Sequence, residues 1–551
     1  MSDVPTATAG ERQAQFMAQV RAALGQGDIA RAGQVAEAAL AEGQADPLLY
    51  KMRALRNEGQ GRLEAAAADF RAALQFEPND AGSLNALGLC LARLGRPAEA
   101  VAELDRALAA MPEFASAAFN RAWALESMGE LAQARAGYEQ AVALDPGMTP
   151  ALSSLASIAA RAGDLAAARD YAARVLAQDA GDPPAIMALA IAETAEGRFA
   201  EAETRLRELL ARPERMTPHS QAVAEGLLGD ALDGQDRVSE AFDAYSMEND
   251  RQRRMHVQRF ASGQVESGAD YVARLGAYVG HTRPEDWAAT EPADVASPAR
   301  RHVFLLGFPR SGTTLLGQVL AAHPEVESLD ERETLLSAVQ AFMIRPEDLE
   351  GLKSQPPGAL DSYRDLYWRR VRELGAEPDG KVFVDKLPMN TLKLPLIAKL
   401  FPDATILFAR RDPRDVVLSC FRRHFVVNPT TYEFLTLGGA AHYYDGVMKL
   451  AELFEKRLPL TLRPQRHEDL VEDFEATAKD LCQALGLEWD AAMADFAERS
   501  KARSIATPSA GQVAGGLTGE GVGQWRRYRE QMAPVLPALQ PWVEKFGYPV
   551  D

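Results

Sequence analysis

The stretch HVFLLGFPRSGTTLLGQVLA, residues 302–321, decides how the second half of the chain is read. Residues 303–306 are a short apolar run suited to a buried strand, and the run breaks at Gly307. Pro309-Arg310-Ser311-Gly312-Thr313-Thr314 makes a compact turn, after which Leu315, Leu316, Val319 and Leu320 recur at helical spacing. A strand, a tight loop and a helix N-terminus form an anion site. The first amides of a helix lack backbone partners, and the helix dipole adds positive potential. Gly307 and Gly312 let the backbone approach a phosphate, Arg310 brings charge, and Thr313 and Thr314 bring hydroxyl donors.

The spacing approaches the nucleotide P-loop G-x-x-x-x-G-K-[ST], but Thr313 stands where that motif has its lysine. Because that lysine reaches the transferring phosphoryl group, an ordinary kinase or ATPase is disfavoured. The P-R-S-G-T-T turn instead resembles the 5′-phosphosulfate loop of sulfotransferases. That resemblance implies a P-loop-like α/β domain with a parallel, doubly wound sheet. It also implies 3′-phosphoadenosine 5′-phosphosulfate (PAPS) as donor, 3′,5′-ADP as product and no metal. Arg310, Ser311, Gly312, Thr313 and Thr314 would hold the 5′ end of the donor.

Further along lies HPEVESLDERETLLSAV, with Glu331 in a polar turn and a helix expected from Thr334. Transfer to a hydroxyl needs a base, and on composition alone Asp330, Glu331 and Glu333 are rivals. H-P-x-V followed by an acidic pair resembles protein-tyrosine sulfotransferases, which implies Glu331 as the base. KVFVDK, residues 381–386, reads as a second buried strand, and a lysine at its carboxyl end lies on the edge where open α/β sheets bind ligands. The D-K-x-P match implies that Lys386, with Arg310, stabilises the transferring group.

A third strand is expected over residues 404–409, followed by a helix opening at Asp412-Pro413. R-D-P-R-D-x-x-x-S resembles the 3′-phosphate segment of sulfotransferases and implies that Arg411 and Ser419 bind that phosphate. A plain amphipathic helix is expected over residues 470–485. The R-x-E-D-L run before it also fits the family, except that His467 stands where tyrosine is usual. The last segment packs six glycines between Gly511 and Gly523, a composition suited to a loop that closes over a ligand. Its T-P-S-x-x-Q-V…W-x-x-Y pattern implies a cofactor contact from Ser509, although Gln524 occupies the place of the usual basic residue.

The first half repeats. Gly27, Gly61, Gly95, Gly129, Gly163 and Gly197 follow at 34-residue steps, each with an alanine five positions on, from Ala32 to Ala202. Pro78, Pro112 and Pro146 keep the same step. A small residue suits a close helix crossing, glycine a tight turn, and proline the end of a second helix. The pattern resembles the tetratricopeptide repeat (TPR). About seven units are expected, from Gln13 to about Met255, the seventh with Asp236 in place of glycine. Such an all-α solenoid offers a groove to a peptide or protein partner. RQRRMHVQRF, residues 251–260, and residues 269–279 read as capping helices, and EPADVASPARR as a linker ending near Pro298. The expected domains are thus 12–255, a solenoid; 256–298, capping helices and linker; and 299–551, a sulfotransferase domain.

At 551 residues the chain needs more than one core, and a net charge of −18 opposes broad nucleic-acid or anionic-membrane binding. Three scattered cysteines supply neither a disulfide framework nor a metal cluster. The N-terminus has no basic-then-apolar leader and no 18-residue apolar run exists, so a cytoplasmic protein is expected. The expected activity is sulfuryl transfer from PAPS to a tyrosyl residue of a protein recruited by the repeats. A small alcohol, phenol or glycan acceptor is the alternative, and a binding scaffold with a degenerate transferase domain is the alternative of another class.

Overall fold

The computed structural model describes residues 9–288, 297–497 and 521–550, and the chain divides into two compact units, Met1–Ala188 and Leu189–Asp551. The first unit is a run of antiparallel helix pairs, Ala9–Gly25 with Ile29–Ala41 through Thr149–Ala162 with Leu165–Leu176. The repeat glycines do what the spacing requires: Gly27, Gly61, Gly95, Gly129 and Gly163 all have φ between 71° and 80°. Ala32, Ala66, Ala100, Ala134 and Ala168 have no exposed surface, so each sits where helices cross and a larger side chain would overpack by about 1–3 kcal/mol. Pro78, Pro112 and Pro146 each stand just past a helix that ends at Phe76, Ala110 or Leu144. Leu84, Leu87, Leu91 and Leu104 fill the space between.

The second unit carries the remaining repeat helices and an α/β domain. Its last repeat pair is Pro218–Asp233 with Val238–Ala261, giving seven pairs among the described residues. Asp236 keeps the turn's left-handed geometry at φ 60°, which an aspartate tolerates better than most residues, and Ala241 repeats the buried crossing alanine. RQRRMHVQRF is not a separate capping helix. It continues unbroken from Val238, because no glycine or proline interrupts the helical run. Helix Gly268–Gly280 follows as expected.

Five parallel strands form the sheet: β1 (Arg301–Gly307), β2 (Val326–Asp330), β3 (Val382–Lys386), β4 (Thr405–Arg410) and β5 (Leu462–Arg466), in the order β2-β3-β1-β4-β5. The three anticipated strands are the central ones, buried on both faces. Val303, Leu305, Val384 and Leu407 pack there with Val319 and Leu320 of helix Thr313–Ala321 and with Leu481 and Leu485 of helix Phe474–Leu485. The expected helix over 470–485 is two, His467–Glu472 and Phe474–Leu485. Asp473 breaks it by capping the second, accepting from the Ala476 amide at 3.2 Å. No helix among the described residues is long and apolar enough to cross a membrane.

Candidate active site

Four strand ends share one rim. The register aligns Leu305 and Asp330 with Lys386, and Gly307 with Ala409, so the carboxyl ends of β1 to β4 lie together. This is the edge at which open parallel sheets bind ligands.

From β1 the chain passes Gly307, where any Cβ would fall 2.7 Å from the Ala409 carbonyl oxygen. Thr391 Oγ1 donates to the Gly307 carbonyl at 2.7 Å and fixes the base of the loop. Arg310 has φ 69° and Gly312 has φ 92°, two left-handed residues that fold the turn back before helix Thr313–Ala321 opens. Ser311 is buried within the turn, its amide bonded to the Phe308 carbonyl at 3.1 Å.

Arg310 then meets a residue 109 positions away: its Nε donates to Ser419 Oγ at 2.9 Å, and its carbonyl accepts from Arg411 Nη1 at 3.1 Å. Burial, with Arg423 and Arg411 nearby, pulls the Arg310 guanidinium down to about 9, so an anion beside it would relieve a cost already present. Arg411 also bonds the Gly521 carbonyl through Nη2, and its buried Nε has no partner among the described residues. Ser419 lies on helix Pro413–Phe421, capped by Asp412, whose side chain accepts from the Arg414 amide at 2.9 Å. Asp415, on the same helix, accepts from the amides of Gly523 at 2.7 Å and Trp525 at 2.8 Å, tying down the C-terminal segment.

Glu331 follows the end of β2 in a left-handed conformation, φ 50°. Among the described residues only Asp236, Arg310 and Glu331 are non-glycines with positive φ, so two of the three stand at this rim. Such residues cost about 1–3 kcal/mol each and collect at functional sites. The Glu331 amide donates to the Lys386 carbonyl at 2.7 Å, and its carboxylate accepts from Lys386 Nζ at 2.8 Å. Asp330, the rival carboxylate, lies 3.6 Å from the same Nζ and accepts from Gln318 Nε2 at 2.8 Å. Lys386 is wholly buried and reaches the site through Glu331.

Several of these side chains, though not Ser311, Asp330 or Lys386, border one cavity of about 1000 Å³. Its polar lining includes Arg310, Gly312, Thr313, Thr314, Arg411 and Ser419, with Glu331. Its apolar lining includes Met343, Leu387, Met389, Leu392, Phe425 and Phe434. His467 lines it too, packed so closely on the loop that a Cβ at Gly312 would lie 2.7 Å from its Nδ1. Burial and the neighbouring arginines hold His467 down to about 3, hence neutral, and Nδ1 is buried without a partner among the described residues. Gln524 also lines the cavity, and Ser509 lies outside the described residues, as does the glycine-rich segment up to residue 520.

Sequence reading missed one contributor from the repeats. Asp233, at the end of the last repeat's first helix, lines the cavity and joins three partners: Tyr528 OH donates to it at 2.7 Å, Arg527 Nη1 lies at 2.8 Å, and Arg422 pairs with it. No local signal marks an aspartate for such a role.

Comparison with known proteins follows the same division. Residues 302–491 match the profile described as Sulfotransferase family, and residues 17–83, 51–115, 85–149, 119–183 and 159–224 match tetratricopeptide repeat profiles. An uncharacterised protein of Aquifex aeolicus is 29% identical over 264 residues, covering 46% of this chain and 34% of that protein. Protein-tyrosine sulfotransferase 1 of Mus musculus is 30% identical over 131 residues, 23% of this chain and 35% of that one. Its Danio rerio counterpart is 26% identical over 205 residues, 35% and 54%. The chain therefore spans about a third to a half of the length of the curated relatives it matches.

Proposed function

We propose that this chain, which joins tetratricopeptide repeats to a sulfotransferase domain, transfers the sulfuryl group of PAPS to a hydroxyl, and that the acceptor is a tyrosyl residue of a protein held by the repeats. The observation that carries the reading is the meeting of two distant anion-binding segments, Arg310 with Ser419 and Arg411, on a cavity that Glu331 also borders. The donor suits these residues. A left-handed glycine opens a helix N-terminus, a buried arginine lies beside it, and Arg411 has a buried Nε with no partner among the described residues. The cavity volume is also near the upper end, roughly 1,000 Å³, of small-molecule sites.

PAPS, when bound, supplies a sulfuryl group on an activated phosphosulfate anhydride. The amides of Gly312, Thr313 and Thr314 and the hydroxyls of Ser311, Thr313 and Thr314 would hold the 5′-phosphate, and Arg310 the charge on the transferring group. Arg411 and Ser419 hold the 3′-phosphate. Ser419 accepts from Arg310, which leaves its own proton to donate. Glu331 takes the proton of the acceptor hydroxyl, and Lys386, hydrogen-bonded to that carboxylate at 2.8 Å, orients it. The apolar side of the cavity, with Phe425 and Phe434, suits an aromatic acceptor ring better than a sugar.

Calorimetric titration with 3′,5′-ADP, beside ATP with magnesium, tests the reading. Metal-independent binding of 3′,5′-ADP that weakens by about tenfold or more in Arg411→Ala is expected, since a bidentate charge contact is lost. Absence of 3′,5′-ADP binding would sink the transferase reading.

A further inference from the structure

Behind the cavity lies a buried polar chain that the proposed chemistry does not use. Asp385 precedes Lys386 on β3 and is 1% exposed. Its Oδ2 accepts from Thr334 Oγ1 at 2.6 Å and from Tyr367 OH at 2.9 Å, while Oδ1 has no partner among the described residues. Tyr367 OH lies 2.8 Å from His302 Nε2, which is on β1. His302, Thr334 and Tyr367 are all buried, and Asp385 does not line the cavity.

The consequence is geometric. Glu331 sits in a left-handed conformation that nothing intrinsic to glutamate favours. The loop holding it is tied to β3 at three points: the Glu331 amide to the Lys386 carbonyl at 2.7 Å, the Glu331 carboxylate to Lys386 Nζ at 2.8 Å, and the Thr334 side chain to Asp385. Without the Thr334 tie, the strained turn would be held by the Glu331 backbone bond and by the ion pairs of Lys386 with Glu331 and of Lys393 with Glu333, none of which fixes the chain just past Glu333. We infer that Asp385 is a positioning residue: through Thr334 its carboxylate holds the loop that carries Glu331 against the end of β3. The inference rests on the reading of Glu331 as the base.

The groups facing Asp385 agree with this. Tyr367 and Thr334 touch it, and His302 lies beyond Tyr367. The charges of Lys393 and Glu333, paired with each other at 2.5 Å, act on it in opposite senses. Burial raises its pKa to about 6, and no cation among the described residues touches it, so at neutral pH the carboxylate is an unpaired buried charge. Such a group is a stability cost, retained where its hydrogen bonds serve something else.

Thr334→Val keeps the shape and removes the tie, Thr334→Ser keeps the tie, and Asp385→Asn still offers one oxygen to both donors. Each variant would be assayed for 3′,5′-ADP affinity by calorimetry, for hydrogen exchange of residues 329–336, and for kcat and KM with PAPS and a tyrosyl peptide. In Thr334→Val, kcat should fall by about tenfold or more, because small misplacement of a catalytic group is costly, with faster exchange of the loop. Its 3′,5′-ADP affinity and KM for PAPS should stay native, and Thr334→Ser and Asp385→Asn should stay close to native throughout. Native exchange and kcat in Thr334→Val would overturn the inference. So would a loss of 3′,5′-ADP affinity in parallel with kcat, which would mark general collapse of the site. Failure of the unaltered chain to bind 3′,5′-ADP is a separate result, and it strikes the transferase reading instead.

Discussion

Lys386 Nζ stands 2.8 Å from Glu331 Oε1, the lysine wholly buried and the carboxylate open to the cavity. A buried ammonium needs an anion, and Asp330, at 3.6 Å, is the only other carboxylate paired with it among the described residues. Glu331→Gln keeps the hydrogen bond and removes the base. In steady-state assays kcat should fall by about 10²- to 10⁴-fold, as for loss of a general base, with 3′,5′-ADP affinity near native. A variant that retains full turnover would remove Glu331 from the mechanism.

Gly312 is constrained twice, by φ 92° and by a Cβ that would press on His467 Nδ1 at 2.7 Å. Gly312→Ala should therefore lose about 1–3 kcal/mol from the strained backbone alone and push His467 away from the loop. Chemical denaturation reads the first effect and 3′,5′-ADP titration the second, expected as weaker binding.

Asp233 binds the last repeat to the α/β domain, holding Tyr528 OH at 2.7 Å and the partly buried Arg422, which also lies over the rings of Tyr245 and Tyr528. Removing the carboxylate leaves Arg422 and Tyr528 without a partner they share. Asp233→Ala should destabilise the Leu189–Asp551 unit by about 1–3 kcal/mol and lower its urea midpoint. An unchanged midpoint would mean that the repeat pair is only loosely attached.

Asp385 gives a pH signature of definite sign. Its folded pKa, about 6, exceeds the ordinary 3.8, so between those values the folded chain binds the extra proton. Its contribution to stability is full below about pH 4 and is lost as pH rises through 6. The loss is at most about 3 kcal/mol, because each pH unit separating the folded and unfolded pKa values is worth about 1.4 kcal/mol. Asp385→Asn cannot ionise, so its stability relative to the unaltered chain should rise across this window. Urea midpoints at about pH 4 and about pH 7 measure it; parallel behaviour of the two proteins would mean that Asp385 is not strained by burial.

Features that depend on neighbours in the chain were readable. The 34-residue glycine step became left-handed turns, and even the exception, Asp236, kept that conformation. The loop 307–314 and the three central strands were visible because strands covered on both faces are apolar without interruption. β2 and β5 were not, since they are the sheet's edges: VESLD and LRPQR are each buried only at their first and fourth positions and carry polar residues like any turn. The helix break at Asp473 was hidden for a similar reason, an apolar period running on across a residue that caps.

Motif residues could be named one by one from spacing, but not their partners. Arg310 meets Ser419 across 109 residues, Glu331 meets Lys386 across 55, and Asp233 meets Arg422 across 189. Local order follows from φ preferences, caps and hydrophobic period, all of which lie within a few residues and so are written in the chain itself. Which distant groups touch was decided by strand order and register: β3 between β1 and β2 brings Lys386 under Glu331 and Asp385 beneath Thr334. That order is settled by burying the whole sheet at once, an energy no single stretch contains.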